Sequence, residues 1–164
     1  LHDALPIFVG KQVISIFECE VVGTIFSFQM SKENNKITYL WIEGVDGEQV
    51  FLLPCNKIWA IADCVLIKNN SALSIAVDSP TSAIMNALVV DTAGKYWGNV
   101  IDIEFDERYT VLSFVTKLSR FLPPKVLQCE ANLVIINSGE YSTQNFKPKP
   151  QKIVKKPTNE VSIS

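Results

Sequence analysis

The sequence predicts an all-β protein of two tandem small β-barrels, followed by a disordered basic C-terminal tail. Three observations predict it: short apolar alternations with a period of two, turn-forming clusters between them, and a second passage of the chain through the same order of elements.

The first alternation opens at Gly23 in "GTIFSFQM", where Phe26, Phe28 and Met30 interleave with Ser27, Gln29 and Ser31. The second opens at Gly98 in "GNVIDIEF", where Ile101, Ile103 and Phe105 interleave with Asp102, Glu104 and Asp106. Successive side chains of a strand point to opposite faces, so Phe26, Phe28, Ile101 and Ile103 are expected inside. Ser27, Gln29, Asp102 and Glu104 are expected to face solvent. A glycine at the head of each strand predicts a bulge or a close backbone approach where the sheet bends. Turn signals follow at "SKENNK" (31–36), "EGVDGE" (43–48) and "FDERYT" (105–110).

With Gly23 set on Gly98, "VISIFECEVVG" (13–23) meets "LVVDTAGKYWG" (88–98), and "ITYLWI" (37–42) meets "VLSFVT" (111–116). Further on, "FLLPCNKIWAIADCVLI" (51–67) meets "FLPPKVLQCEANLVII" (121–136), with Pro54 on Pro123. Helix is expected only as single turns, near 53–58 and 123–127. The expected division is a segment 1–8, a module 9–70, a linker 71–84, a module 85–138 and a tail 139–164. "LHDALPI" at the start resembles an in-frame translation of a common sequencing-library adapter, and that segment is expected to be non-native.

Composition narrows the chemistry. Residues 1–146 hold sixteen acids against ten bases, a net of −6, and residues 147–164 hold five lysines and one glutamate, a net of +4. The sole histidine is His2, inside the opening segment. Cys19, Cys55, Cys64 and Cys129 form no Cys-x-x-Cys pair, so the usual zinc spacings are absent. With no visible signal peptide, free thiols in a reducing cytoplasm are expected, Cys64 among them as a core residue. No apolar run reaches the ~20 residues of a membrane-spanning helix. There is no glycine-rich phosphate loop and no paired catalytic carboxylates. Cys19 sits between Glu18 and Glu20, which disfavour a thiolate, and no base is at hand to activate a nucleophile. No catalytic, cofactor or metal site is expected, and the chain reads as a non-enzyme.

The stretch from "VGKQV" through "VVGTIFSFQM" and "ITYLWIE" to "VFLLPCNKIWAIADCVLI" resembles the PRC-barrel family. Residues 85–137 resemble it too, without the Gly-Lys opening and with Tyr96-Trp97 before the glycine. The resemblance implies a small β-barrel module of the kind found in the H subunit of photosynthetic reaction centres, in ribosome maturation factors and in short bacterial proteins. It implies an adaptor that binds another protein, by analogy of fold.

Candidate contact residues follow. Asp102, Glu104, Asp106 and Glu107 could hold a divalent cation, but Ser27, Gln29 and Ser31 stand at the matching places, so a solvated strand face is the expectation. Trp41, opposite Val115 in the alignment, is expected in the core. Trp59 aligns with Gln128 and is expected at the surface, as is one member of the pair Tyr96 and Trp97, since neighbours on a strand face opposite ways. Trp59, Tyr96 and Trp97 are therefore the candidate partner-binding aromatics. In the tail, Lys147, Lys149, Lys152, Lys155 and Lys156 are candidates for weak contact with RNA phosphates or an anionic membrane, with DNA not expected. The function read from the sequence is protein docking by a two-module scaffold. An RNA- or ribosome-associated factor is the alternative, and an open barrel edge could also accept a peptide strand.

Overall fold

The computed structural model describes residues 8–31, 35–76, 84–121, 126–130, 132–137 and 153–154. It is predominantly β: among the described residues the only helix is single 3-10 turns, Cys55–Lys57 and Asn70–Ala72. The first of these falls where the sequence predicts a turn.

In the first passage, Gln12–Ser15 (β1) folds back on Glu20–Ser31 (β2), which pairs with Lys36–Gly44 (β3) and through it with Val50–Pro54 (β4). Ile58–Ile61 (β5) and Val65–Ile67 (β6) form a hairpin, and β6 runs parallel to β1. Ser74–Ile75 (β7) adds to β4. In the second passage, Leu88–Asp91 (β8) pairs with Tyr96–Asn99 (β9). Asp102–Phe105 (β10), Val111–Val115 (β11) and Arg120–Phe121 (β12) form a meander. Val126–Glu130 (β13) and Leu133–Ile136 (β14) form a hairpin, and β14 runs parallel to β8. Ile153–Val154 (β15) lies on β5. The first sheet, ordered β15-β5-β6-β1-β2-β3-β4-β7, curls as a half-barrel; the others are β13-β14-β8-β9 and β10-β11-β12.

The order β5-β6-β1-β2 thus recurs as β13-β14-β8-β9. Val65 lies opposite Val13 and Ile67 opposite Ser15; Val134 lies opposite Val89 and Ile136 opposite Asp91. The Gly10 N–H donates to the Ile25 carbonyl at 2.8 Å, and the Asn86 N–H donates to the Val100 carbonyl at 2.9 Å. Asn86 (φ 67°) therefore does in the second passage what Gly10 (φ 101°) does in the first. Asparagine tolerates the left-handed region better than other side chains, so "MNALV" replaces "VGKQV" without the Gly-Lys signature.

The two opening glycines have different reasons. A Cβ on Gly23 would lie 2.0 Å from the Glu43 carbonyl oxygen, so the neighbouring strand leaves no room for a side chain. Gly98 has φ +97°, a conformation costly for any other residue.

The alternation after each glycine departs from the sequence expectation because both strands carry an extra residue. On β2, Ile25 lies opposite Ile42 and Ser27 opposite Trp41, which leaves Phe26 in a bulge. In the second passage the Ile101 N–H and the residue Asp102 both address Val115. Past the bulge the facing inverts. Ile25, Phe28 and Ile103 are fully buried, but Phe26 and Ile101 are only partly so. Ser27, Asp102 and Glu104 are buried, which corrects the expectation that they face solvent, and Gln29 is half-buried.

The two passages share one core. The Phe8 ring meets Phe105 edge-on with centroids 4.7 Å apart, and Phe105 stacks on Tyr109 at 5.7 Å. The Val111 N–H donates to the Asn35 carbonyl at 2.7 Å and the Ile37 N–H to the Tyr109 carbonyl at 2.8 Å. Buried side chains of both passages accordingly form a single cluster that includes Trp97, while Trp41 is buried as its alignment predicts. Phe8, at the end of the segment expected to be non-native, is fully buried in that cluster.

In the expected linker 71–84, the end of the Asn70–Ala72 turn and β7 are described, and residues 77–83 lie outside the described residues. In the expected tail, Ile153 and Val154 form β15 on the outer edge of β5, where β-branched residues suit an extended strand. Lys147, Lys149, Lys152, Lys155 and Lys156 lie outside the described residues, as does Pro123.

Candidate functional site

Among the described residues, a groove of about 370 Å³ lies at one end of the curled sheet. Its floor is Val21, Val22 and Phe51; its walls are the β3–β4 turn, with Val45 and Asp46, and the segment from Asn70 to Ile75.

The turn is built from "EGVDGE". The Gly44 N–H donates to the Gln49 carbonyl at 2.8 Å, Asp46 Oδ1 accepts the Glu48 N–H at 3.0 Å, and Gly47 takes φ +75°. This local bonding fixes the hairpin and leaves Val45 projecting at 74% exposure. On the opposite wall, Asn69 Oδ1 caps the Asn70–Ala72 turn through the Ser71 N–H at 2.9 Å. Glu18 accepts the Asn70 N–H at 3.2 Å, and Glu20 Oε1 accepts from Asn70 Nδ2 at 3.0 Å. These bonds tie the wall to the β1–β2 turn and carry Ile75, at 61% exposure, to the rim.

The groove is lined about equally by polar and apolar surface: Val21, Val22, Phe51 and Leu73 beside Gln49 and Asn70, with Glu20 and Asp46 supplying carboxylates. The Ser15 hydroxyl donates to Glu18 and holds its carboxyl below the usual range, an effect that the Asn70 amide reinforces. Glu18 is therefore ionised beside Glu20, and Asp46 stands on the facing wall. Exposed aliphatic side chains lining one groove with carboxylates suit a ligand that is both apolar and cationic.

No family model matches the chain, and no curated protein matches it.

The structure places Trp59 on β5 and both Tyr96 and Trp97 on β9. Tyr96 is exposed on β9, and its hydroxyl donates to Asn99 Oδ1. Trp97 is 6% exposed and its Nε1–H donates to Asp91 Oδ2 at 3.0 Å, so of this pair Tyr96 is the residue that looks outward. Trp59 is half-buried on β5, at the irregularity between Ile58 and Ala60. Neither Trp59 nor Tyr96 lines the groove.

The four acids 102, 104, 106 and 107 do not form a common face. Asp102 accepts the Phe8 and Ile103 N–H groups, both at 2.8 Å. Glu104 accepts from Ser113 at 2.6 Å and pairs with Arg120 at 3.0 Å. Asp106 folds its own turn through the Arg108 and Thr110 N–H groups, and Glu107 is exposed. Buried carboxylates need such partners, so Asp102 and Glu104 do structural work. Cys55 is buried and its thiol is pushed up to about 12 by desolvation, whereas Cys19 is exposed and Cys64, expected in the core, is half-buried. The groove was missed because its signal is slight: one aliphatic, Val45, inside an otherwise polar turn.

Asp91 offers a pH test of the second passage. Trp97 Nε1–H, then the Lys95 and Ala93 amides, lower its pKa. A depressed folded value means the stabilisation is present above the unfolded value of ~4 and is lost as pH falls through the folded one. Urea midpoints should fall between pH 5 and pH 3, roughly, and Asp91→Asn should flatten that fall. An unchanged acid limb in the variant would remove Asp91 from the account.

Proposed function

We propose that the chain is a non-enzymatic adaptor built from two PRC-barrel-like modules, working in the cytoplasm and docking a basic, extended segment of a protein partner. The observation that carries the reading is the groove, whose lining holds the exposed Val45 and Ile75 together with Glu20 and Asp46. The recurring strand order supports the two-module part of the proposal. An acidic border favours lysine- or arginine-bearing segments and repels polyanions, which sets the groove against the RNA reading. RNA or membrane contact would rest on the tail lysines.

The test compares capture of host proteins by the full chain and by Val45→Asp/Ile75→Asp. Both positions are exposed, so the variant should melt within a degree or two of the parent. Losing two aliphatic anchors should cut capture of the specific partner at least tenfold, at about 1–2 kcal/mol for each buried side chain. Equal capture by both chains would exclude the groove. RNA capture that is lost on removing residues 147–164, and weakens steeply with salt, would favour the polyanion reading instead.

A further inference from the structure

The first sheet ends at both sides in strands of two residues, β7 on β4 and β15 on β5. β7 follows the first passage closely in the chain. β15 does not: it comes from residues 153–154, beyond the whole second passage, and returns to pair Ile153 with Ile61 and Val154 with Ala60. The edge it closes belongs to Ile58–Ile61, which carries Trp59 and is bonded to β6 on its other side.

An open strand edge is a row of unpaired N–H and C=O groups that any extended segment can satisfy. Side chains then decide which segment is preferred. Here the occupant is Ile-Val set between lysines, in "QKIVKK", on a body that is net acidic over residues 1–146, with Asp63 exposed just beyond the end of β5. Two paired residues hold a strand only weakly from free solution. A covalent tether supplies what is missing, since it raises the local concentration of the segment to the order of millimolar. Such an occupant gives way to a segment that pairs over a longer register.

We propose that the outer edge of β5 is a strand-addition site for an extended peptide with a β-branched pair between lysines, and that Ile153–Val154 is its displaceable resident. The site is separate from the groove and stands or falls independently of it.

The test uses the full chain and a fluorescent peptide of residues 150–158, followed by anisotropy. Ile153→Pro/Val154→Pro removes both N–H groups from the resident strand and vacates the edge. That variant should bind the peptide at least tenfold more tightly than the parent chain does. Its β5 amides should exchange faster than the parent's and regain protection when peptide is added. A peptide carrying the same two prolines should bind neither chain. If the proline variant does not fold, Ile153→Gly/Val154→Gly, which keeps every N–H and only weakens the strand, should show a smaller gain of the same sign. Equal peptide affinity in parent and variant, or no binding to the folded variant, overturns the proposal.

Discussion

Phe28→Ala should lower stability by about 3–5 kcal/mol, read from urea or thermal unfolding, whereas Phe26→Ala should cost under about 1.5 kcal/mol. The two residues are alike in chemistry and lie two apart in the sequence, so plain alternation would make them equivalent. The bulge separates them. Phe28 is fully buried opposite Leu40, and its loss leaves a cavity in a packed core. Phe26 has no partner in the ladder and keeps part of its ring in solvent. Equal losses at the two positions would mean that the strand alternates without interruption and that the bulge is misplaced.

The same pair of positions shows how far the sequence could be read. Strand class and element order were legible because periodicity and turn chemistry are local, and "GTIFSFQM" and "GNVIDIEF" repeat both. Facing was not, because an extra residue in a strand leaves no mark in composition: Ser27 and Asp102 look like outward positions until Trp41 and Val115 are seen across from them. The second module-like opening was hidden for a related reason. What the backbone requires at Gly10 is a positive φ, and Asn86 supplies it with a different letter. The groove was least legible of all, since it depends on the β3–β4 turn, β2 and β7 meeting in space. Of the aromatics singled out, opposite facing of Tyr96 and Trp97 follows from strand geometry, but the sense of it rests on Asp91 holding the Trp97 indole inward.

Asp102→Ala should be the most disruptive polar substitution, at about 2–4 kcal/mol. Asp102 is 1% exposed, and its carboxylate accepts the N–H groups of Phe8 and Ile103 at 2.8 Å and that of Val9 at 3.4 Å. Alanine leaves donors without an acceptor in a place water does not reach, and each such orphan costs about 1–3 kcal/mol. Part of that loss is offset, because a buried charge no longer has to be desolvated. The bond from Phe8 also fixes where its ring sits, edge-on to Phe105 across the two passages of the chain. Asp102 and Phe8 should therefore be coupled. In a double-mutant cycle, Asp102→Ala and Phe8→Ala together should cost less than the sum of the single changes by more than about 1 kcal/mol. Amides at Phe8 and Val9 should exchange much faster in Asp102→Ala, while those of β3 and β4 change little. Additivity within about 0.5 kcal/mol would break the link between the carboxylate and the ring. The core would then be held by apolar packing alone, with Phe8 seated independently of the strand that follows Gly98.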